Sequence, residues 1–199
     1  MAIVIDEAFL PATLTSPPMT DEQFADFCSE HPDLFFEMTA DGVIIITPPT
    51  YSFTGMQNQE IAGQLYIWAR RGPGVSSDSS TGFVLPNGAR RSPDAAWTSK
   101  EKLGTLSAED RRRYLHLCPE FVIELRSQSD RIRTLREKME EWIANGAQLA
   151  WLIDPETSTV EIYRPNRAPE VFSGDVIEGE GPVEGFALVL ATVWDPLGL

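Results

Sequence analysis

Apolar and polar positions recur with two different periods along this chain, and the change of period marks its elements. Thr20 and Gln23 stand at capping-box spacing ahead of Phe24, Phe27 and Cys28, which recur at helical intervals and predict a short first helix. In LFFEMTADGVIIIT two apolar runs flank Ala40-Asp41-Gly42, where glycine supplies the positive φ of a tight hairpin. The run 43–46 is continuously apolar, so that strand is expected to be covered on both faces. Ile61, Leu65 and Trp68, at spacings of 4 and 3, predict an amphipathic helix lying over a sheet.

Further on, residues 82–85 and 94–98 read as short strands separated by the turn Pro86-Asn87-Gly88, and 107–115 as a minor helix. The run 121–125 is a buried strand that ends in charge, at Glu124 and Arg126. A helix over 132–144 follows, closed by Asn145-Gly146, and then a strand over 149–153. Strand, helix and strand together predict a right-handed crossover with parallel strands. Ser127, Ser129 and Asp130 are placed to cap its helix. Residues 160–163 return as an antiparallel partner, and GFALVL adds a last short strand in an acidic, glycine-rich tail. With no repeat and no long linker, the reading is one mixed α/β domain over 20–199, preceded by an extension over 1–19.

Charge adds a complication. The 199 residues carry a net charge of −14, from 16 basic and 30 acidic side chains, which weighs against a polyanionic partner. Yet residues 90–138 hold 12 basic against 8 acidic side chains, a local zone that suits a polyanion better than the whole chain does. Arg111, Arg112 and Arg113 within it also fit an ordinary solvated helix face. Cys28 and Cys118 belong to no disulfide or zinc pattern, which suits a reducing cytoplasm. The N-terminus has no early Lys or Arg, and Asp6 and Glu7 interrupt it, which argues against a secretory signal. No apolar run approaches the ~20 residues of a membrane span, so a soluble, cytoplasmic protein is expected.

Three residues carry candidate chemistry: Asp94 after Pro93, Glu124 at its strand end, and Lys138 on the following helix. Singly, each has an ordinary explanation as a turn residue, a solvated strand end or a surface lysine. On a helical wheel, however, Lys138 borders the apolar face formed by Leu135, Met139 and Trp142, from where its long side chain can reach a strand end. Two carboxylates at adjacent strand ends repel each other unless a cation lies between them. A hard divalent ion, Mg²⁺ or Mn²⁺, answers that need, with Asp94 and Glu124 as its ligands, and a nearby lysine can orient the attacking water.

RRSPDAAWTS, FVIELRSQSD, REKMEEWIANGAQLAWLIDPETSTVEIYR and the earlier FEMTADGVIII resemble the Uma2 family of restriction-endonuclease-like proteins, within the PD-(D/E)xK nuclease superfamily. The likeness runs from about Thr20 to Trp194. It implies a mixed β-sheet flanked by helices, a divalent ion, and DNA as the substrate of an endonuclease. It assigns the motif acids to Asp94 and Glu124. Where the superfamily commonly has lysine, this chain has Arg126, which cannot readily lose a proton and suits a phosphate contact instead. Lys138 matches the family's lysine on the next helix, Glu37 an acidic position of the N-terminal hairpin that supports the site, and Asn58 a polar position without an assigned role. A homodimer would present two basic zones to a duplex. The alternative is a catalytically inactive module of the same fold that binds nucleic acid or protein.

Overall fold

A computed structural model describes residues 11–17 and 19–198. Residues 1–10, which hold the stretch weighed against a secretory signal and most of the extension over 1–19, lie outside the described residues.

Among the described residues, the larger sheet has six strands: β4 (Gly74–Asp78), β7 (Ala95–Ser99), β8 (Phe121–Leu125), β9 (Leu149–Asp154), β10 (Thr159–Tyr163) and β11 (Glu170–Phe172). Their order is β11-β10-β9-β8-β7-β4. At its centre β8 and β9 run parallel, joined by α4 (Ile132–Ala144), and both are buried along their whole length. Helices on both faces explain why these two strands are almost continuously apolar. On one face α2 (Ser52–Ala69) packs Ile61, Leu65 and Ala69 against Ala95, Trp97, Phe121 and Ile123. On the other, α4 packs Met139 and Trp142 against Val122, Ala150 and Leu152.

A second sheet orders β1 (Ala12–Thr15), β3 (Val43–Thr47), β2 (Phe35–Met38), β6 (Arg90–Arg91) and β5 (Phe83–Val84). Helix α1 (Asp21–Ser29) covers it with Phe24 and Phe27 against Met38, Ile44 and Ile46. Thr20 caps that helix reciprocally with Gln23, as its spacing predicts. The tail adds the hairpin β12 (Val176–Glu178) and β13 (Ala187–Val189), with α5 (Leu190–Trp194) folded beneath α2.

Several expectations are corrected. The strand over 43–46 alternates, with only Ile44 and Ile46 buried, because α1 covers one face of its sheet. The Pro86-Asn87-Gly88 turn joins β5 to β6, a strand of two arginines whose polarity hid it, and Asp94 sits just before β7. Serine-rich β4 also escaped the apolar pattern; Gly74 opens it because a Cβ there would lie 2.1 Å from the Trp97 ring. Within 107–115 one 3₁₀ turn forms, Asp110–Arg112. Asp130 does not cap α4: its carboxylate accepts from the backbone and hydroxyl of Ser127, and the N-cap position is Arg131, without a side-chain cap.

Candidate functional site

Five elements bring carboxylates and cations to one end of the central strands. Antiparallel pairing of Ala95 with Ile123 places Asp94, one residue earlier, across from Glu124, one residue later. Glu124 is 3% exposed. Its Oε1 accepts from Trp142 Nε1 at 2.8 Å and lies 2.9 Å from Lys138 Nζ; its Oε2 accepts from the same Nζ at 3.0 Å. Lys138 and Trp142 stand four apart on α4, so both reach the same strand end. Asp94 accepts from the Leu125 backbone N–H at 2.7 Å and from Asn58 Nδ2, on α2, at 3.0 Å.

The fourth element is β2. Alternation along it buries Met38 under α1 and sends Glu37 the other way, toward α4. Glu37 Oε1 lies 2.9 Å from Lys138 Nζ and accepts from the Ser92 N–H at 2.8 Å. Arg91 lies 3.4 Å from Glu37 and 2.6 Å from Glu141. Lys138 thus bridges Glu124 and Glu37, while Arg91 bridges Glu37 and Glu141.

These neighbours divide the titrations. Burial works to raise the Glu37 carboxyl, but the Lys138 and Arg91 charges overcome it and hold the group below its ordinary range. Burial raises Asp94, against the pull of the Leu125 N–H and Lys138. Burial raises Glu124 too; Lys138 opposes this, but the charges of Asp94 and Glu37 add to it, and the group is pushed up to about 7. Burial opposes the Lys138 ammonium, yet Glu124 and Glu37 outweigh it and hold the proton on more firmly than usual. Lys138 is therefore a cation and hydrogen-bond donor, and no general base at neutral pH.

Sequence reasoning expected five residues here, and the structure brings Asp94, Glu124, Lys138 and Glu37 together. Arg126 is engaged otherwise. Parallel pairing of Leu125 with Ile153 sets it beside Asp154, and its guanidinium lies 2.9 Å from Asp154 and 2.7 Å from Glu156. Arg91, Trp142 and Glu141 were missed, and so was a role for Asn58. The one signal for Arg91 was its place three residues ahead of Asp94; the others are joined only by the fold.

Carboxylate oxygens are the ligand type a hard divalent ion takes. Asp94, Glu124, Glu37 and Glu141 are four carboxyl groups met by two cations, Lys138 and Arg91. Beside Asp94, the buried Asn58 Oδ1 has no hydrogen-bond partner. Among the described residues no group of three or more His, Cys, Asp or Glu is arranged to hold a metal. Mg²⁺ is commonly bound by one or two carboxylates, with water and substrate phosphates completing its shell.

A helix-flanked mixed sheet with a buried Glu and a half-buried Asp and Lys at the end of its central strands defines a nuclease-fold protein. The Uma2 family model, described as "Putative restriction endonuclease", matches residues 21–191, and the chain belongs to that family. The fold is similar to the crystal structure of a "putative nuclease belonging to DUF820" from Anabaena variabilis ATCC 29413, with a TM-score of 0.72 and 16% identity, covering 89% of this chain and 98% of that one. No curated protein matches the sequence. Among the described residues no helix is long and apolar enough to cross a membrane.

Proposed function

We propose that this protein is a divalent-metal-dependent endonuclease that hydrolyses DNA phosphodiester bonds at the Asp94–Glu124–Lys138 cluster, acting as a homodimer. The observation that carries the reading is Lys138 Nζ, half-buried and placed 2.9 Å from both Glu124 and Glu37 beside Asp94. Asp94 and Glu124 would hold Mg²⁺ or Mn²⁺, which when bound polarises the phosphoryl group and a water molecule. Lys138 keeps its proton, would orient the attacking water and would donate N–H to a phosphate oxygen, where negative charge grows in the transition state, while the water's proton passes to bulk solvent and the leaving oxygen takes one up from it. Glu37, itself paired with Arg91, holds that lysine from the far side.

Much of the basic zone is paired within the protein. Arg90 and Arg91 are buried in ion pairs with Asp21 and with Glu37 and Glu141, and Arg136 is paired with Glu161. Arg111, Arg112, Arg113 and Arg131 stay exposed, and these would meet phosphates, with the salt dependence such contacts carry. Arg126 would contact phosphate only by leaving Asp154 and Glu156.

Plasmid nicking with Mg²⁺ or Mn²⁺ at low salt tests the reading. Wild type is expected to nick, and Glu124→Ala and Lys138→Ala to lose activity; equal nicking by all three would place the activity elsewhere. One feature favours the inactive-module reading: every carboxylate of the cluster already has a protein donor, as in an inert structural network. Wild type that binds neither Mn²⁺ nor Mg²⁺ but does bind DNA would decide for it.

A further inference from the structure

Helix α2 mixes polar and apolar residues around its circumference, so that large apolar side chains face outward as well as toward the sheet. Its inner face is covered by the six-stranded sheet and α5. Its outer face is not: Phe53, Met56, Tyr66 and Ile67 are 44%, 43%, 52% and 62% exposed. On side chains of ~200 Å² these exposures amount to about 400 Å² of open, mostly apolar surface, the size of a functional patch rather than of scattered residues.

We infer that this face of α2 is where a second copy of the chain docks. Area supports a protein partner of ordinary size, since an interface of ~800 Å² per partner is a little over half apolar and the α2 stripe supplies that half. Charge selects the partner. The chain carries −14, so two copies repel over most of their surface, but this stripe holds one acid, Glu60, and one base, Arg70, and is self-complementary.

Shape agrees with charge. A two-fold axis that lays the helices antiparallel with Glu60 across from the partner's Arg70 also sets Gly63 across from the partner's Ile67, because both pairs are centred on the same point of the helix. Gly63 is a shallow site on the exposed face; a Cβ built there meets nothing nearer than Gln59 Nε2 at 3.8 Å. The chain's own packing does not require that glycine, whereas a partner's isoleucine seated on it does.

This assigns a surface to the homodimer of the proposed function, and its test is independent of cleavage. In sedimentation velocity of the full chain, wild type is expected to be a dimer and Ile67→Glu a monomer with an unchanged circular-dichroism spectrum. Glu60→Arg and Arg70→Glu should each weaken self-association by about tenfold or more. Mixed in equal amounts, these two single variants should form a heterodimer, and the double swap should restore the wild-type dimer. Gly63→Gln, which the helix itself accommodates, should also dissociate it. Glu124→Ala should dimerise like wild type, which separates loss of the interface from loss of the active site. A wild type that stays monomeric, an Ile67→Glu variant that stays dimeric, or a mixture that associates no better than its parts would overturn the inference.

Discussion

Removing the cation from the buried cluster is the sharpest test of its electrostatics. In Lys138→Met, Glu124 keeps only the Trp142 N–H, while Glu37 keeps Arg91 and the Ser92 N–H. The lysine side chain is 14% exposed and that of Glu124 4%, so solvent does little to soften the loss. Breaking one partner out of a buried ion pair costs about 3–5 kcal/mol while the orphaned charge persists. Glu124 can escape by taking up a proton, and it already titrates near 7 with the lysine present. The cost is therefore expected to be larger at about pH 8 than at about pH 6, growing by up to ~1.4 kcal/mol per pH unit above about 7, where wild-type Glu124 has lost its proton and the variant's has not. Adding Glu124→Gln should recover most of it at the higher pH, because a neutral amide can still accept from Trp142. Urea unfolding followed by tryptophan fluorescence at the two pH values measures all three quantities. A Lys138→Met cost below about 1 kcal/mol at high pH, an equal cost at both pH values, or no recovery in the double variant would refute the reasoning.

Three further outcomes follow from the same geometry. The Glu124 carboxyl is raised from an ordinary 4.5 to about 7, so the folded state binds its proton more tightly than the unfolded chain does. Its contribution is fully present below about 4.5 and is lost as pH rises through about 7; Glu124→Gln should gain about 3 kcal/mol relative to wild type across that window in metal-free denaturation. Glu37, whose carboxyl is lowered, works in the opposite sense, its contribution being present above its unfolded value and lost in acid. Asn58→Leu should weaken Mn²⁺ binding, read by calorimetry, by about tenfold through loss of the hydrogen bond that fixes Asp94. A variant binding as tightly as wild type would remove Asn58 from the site. Gly74→Ala should lower stability by about 1–3 kcal/mol, since its methyl would collide with the fully packed Trp97 ring. A melting temperature equal to wild type would show that the ring can move.

Much of the chain's order was legible before any coordinates. The capping box at Thr20, the turn at Gly42, the stripe of α2 and the apolar runs of β8 and β9 each rest on interactions among residues close in sequence. The same holds for Lys138 at the border of an apolar helical face, because a wheel is a local property. Strands that carried no apolar pattern were lost. Serine-rich β4 is held by the neighbouring β7, and the two arginines of β6 are neutralised by Asp21, Glu37 and Glu141 from distant segments.

The site shows the same division. The sequence by itself determined that Asp94, Glu124 and Lys138 belong to strand ends and a helix border, because spacing and periodicity act over a few residues. That Glu37 and Glu124 share one lysine, that Arg91 rather than Arg126 completes the cluster, and that Asn58 steadies Asp94 were decided only by tertiary structure. An ion pair depends on a few ångströms of separation between segments tens of residues apart, and register and packing alone supply that distance.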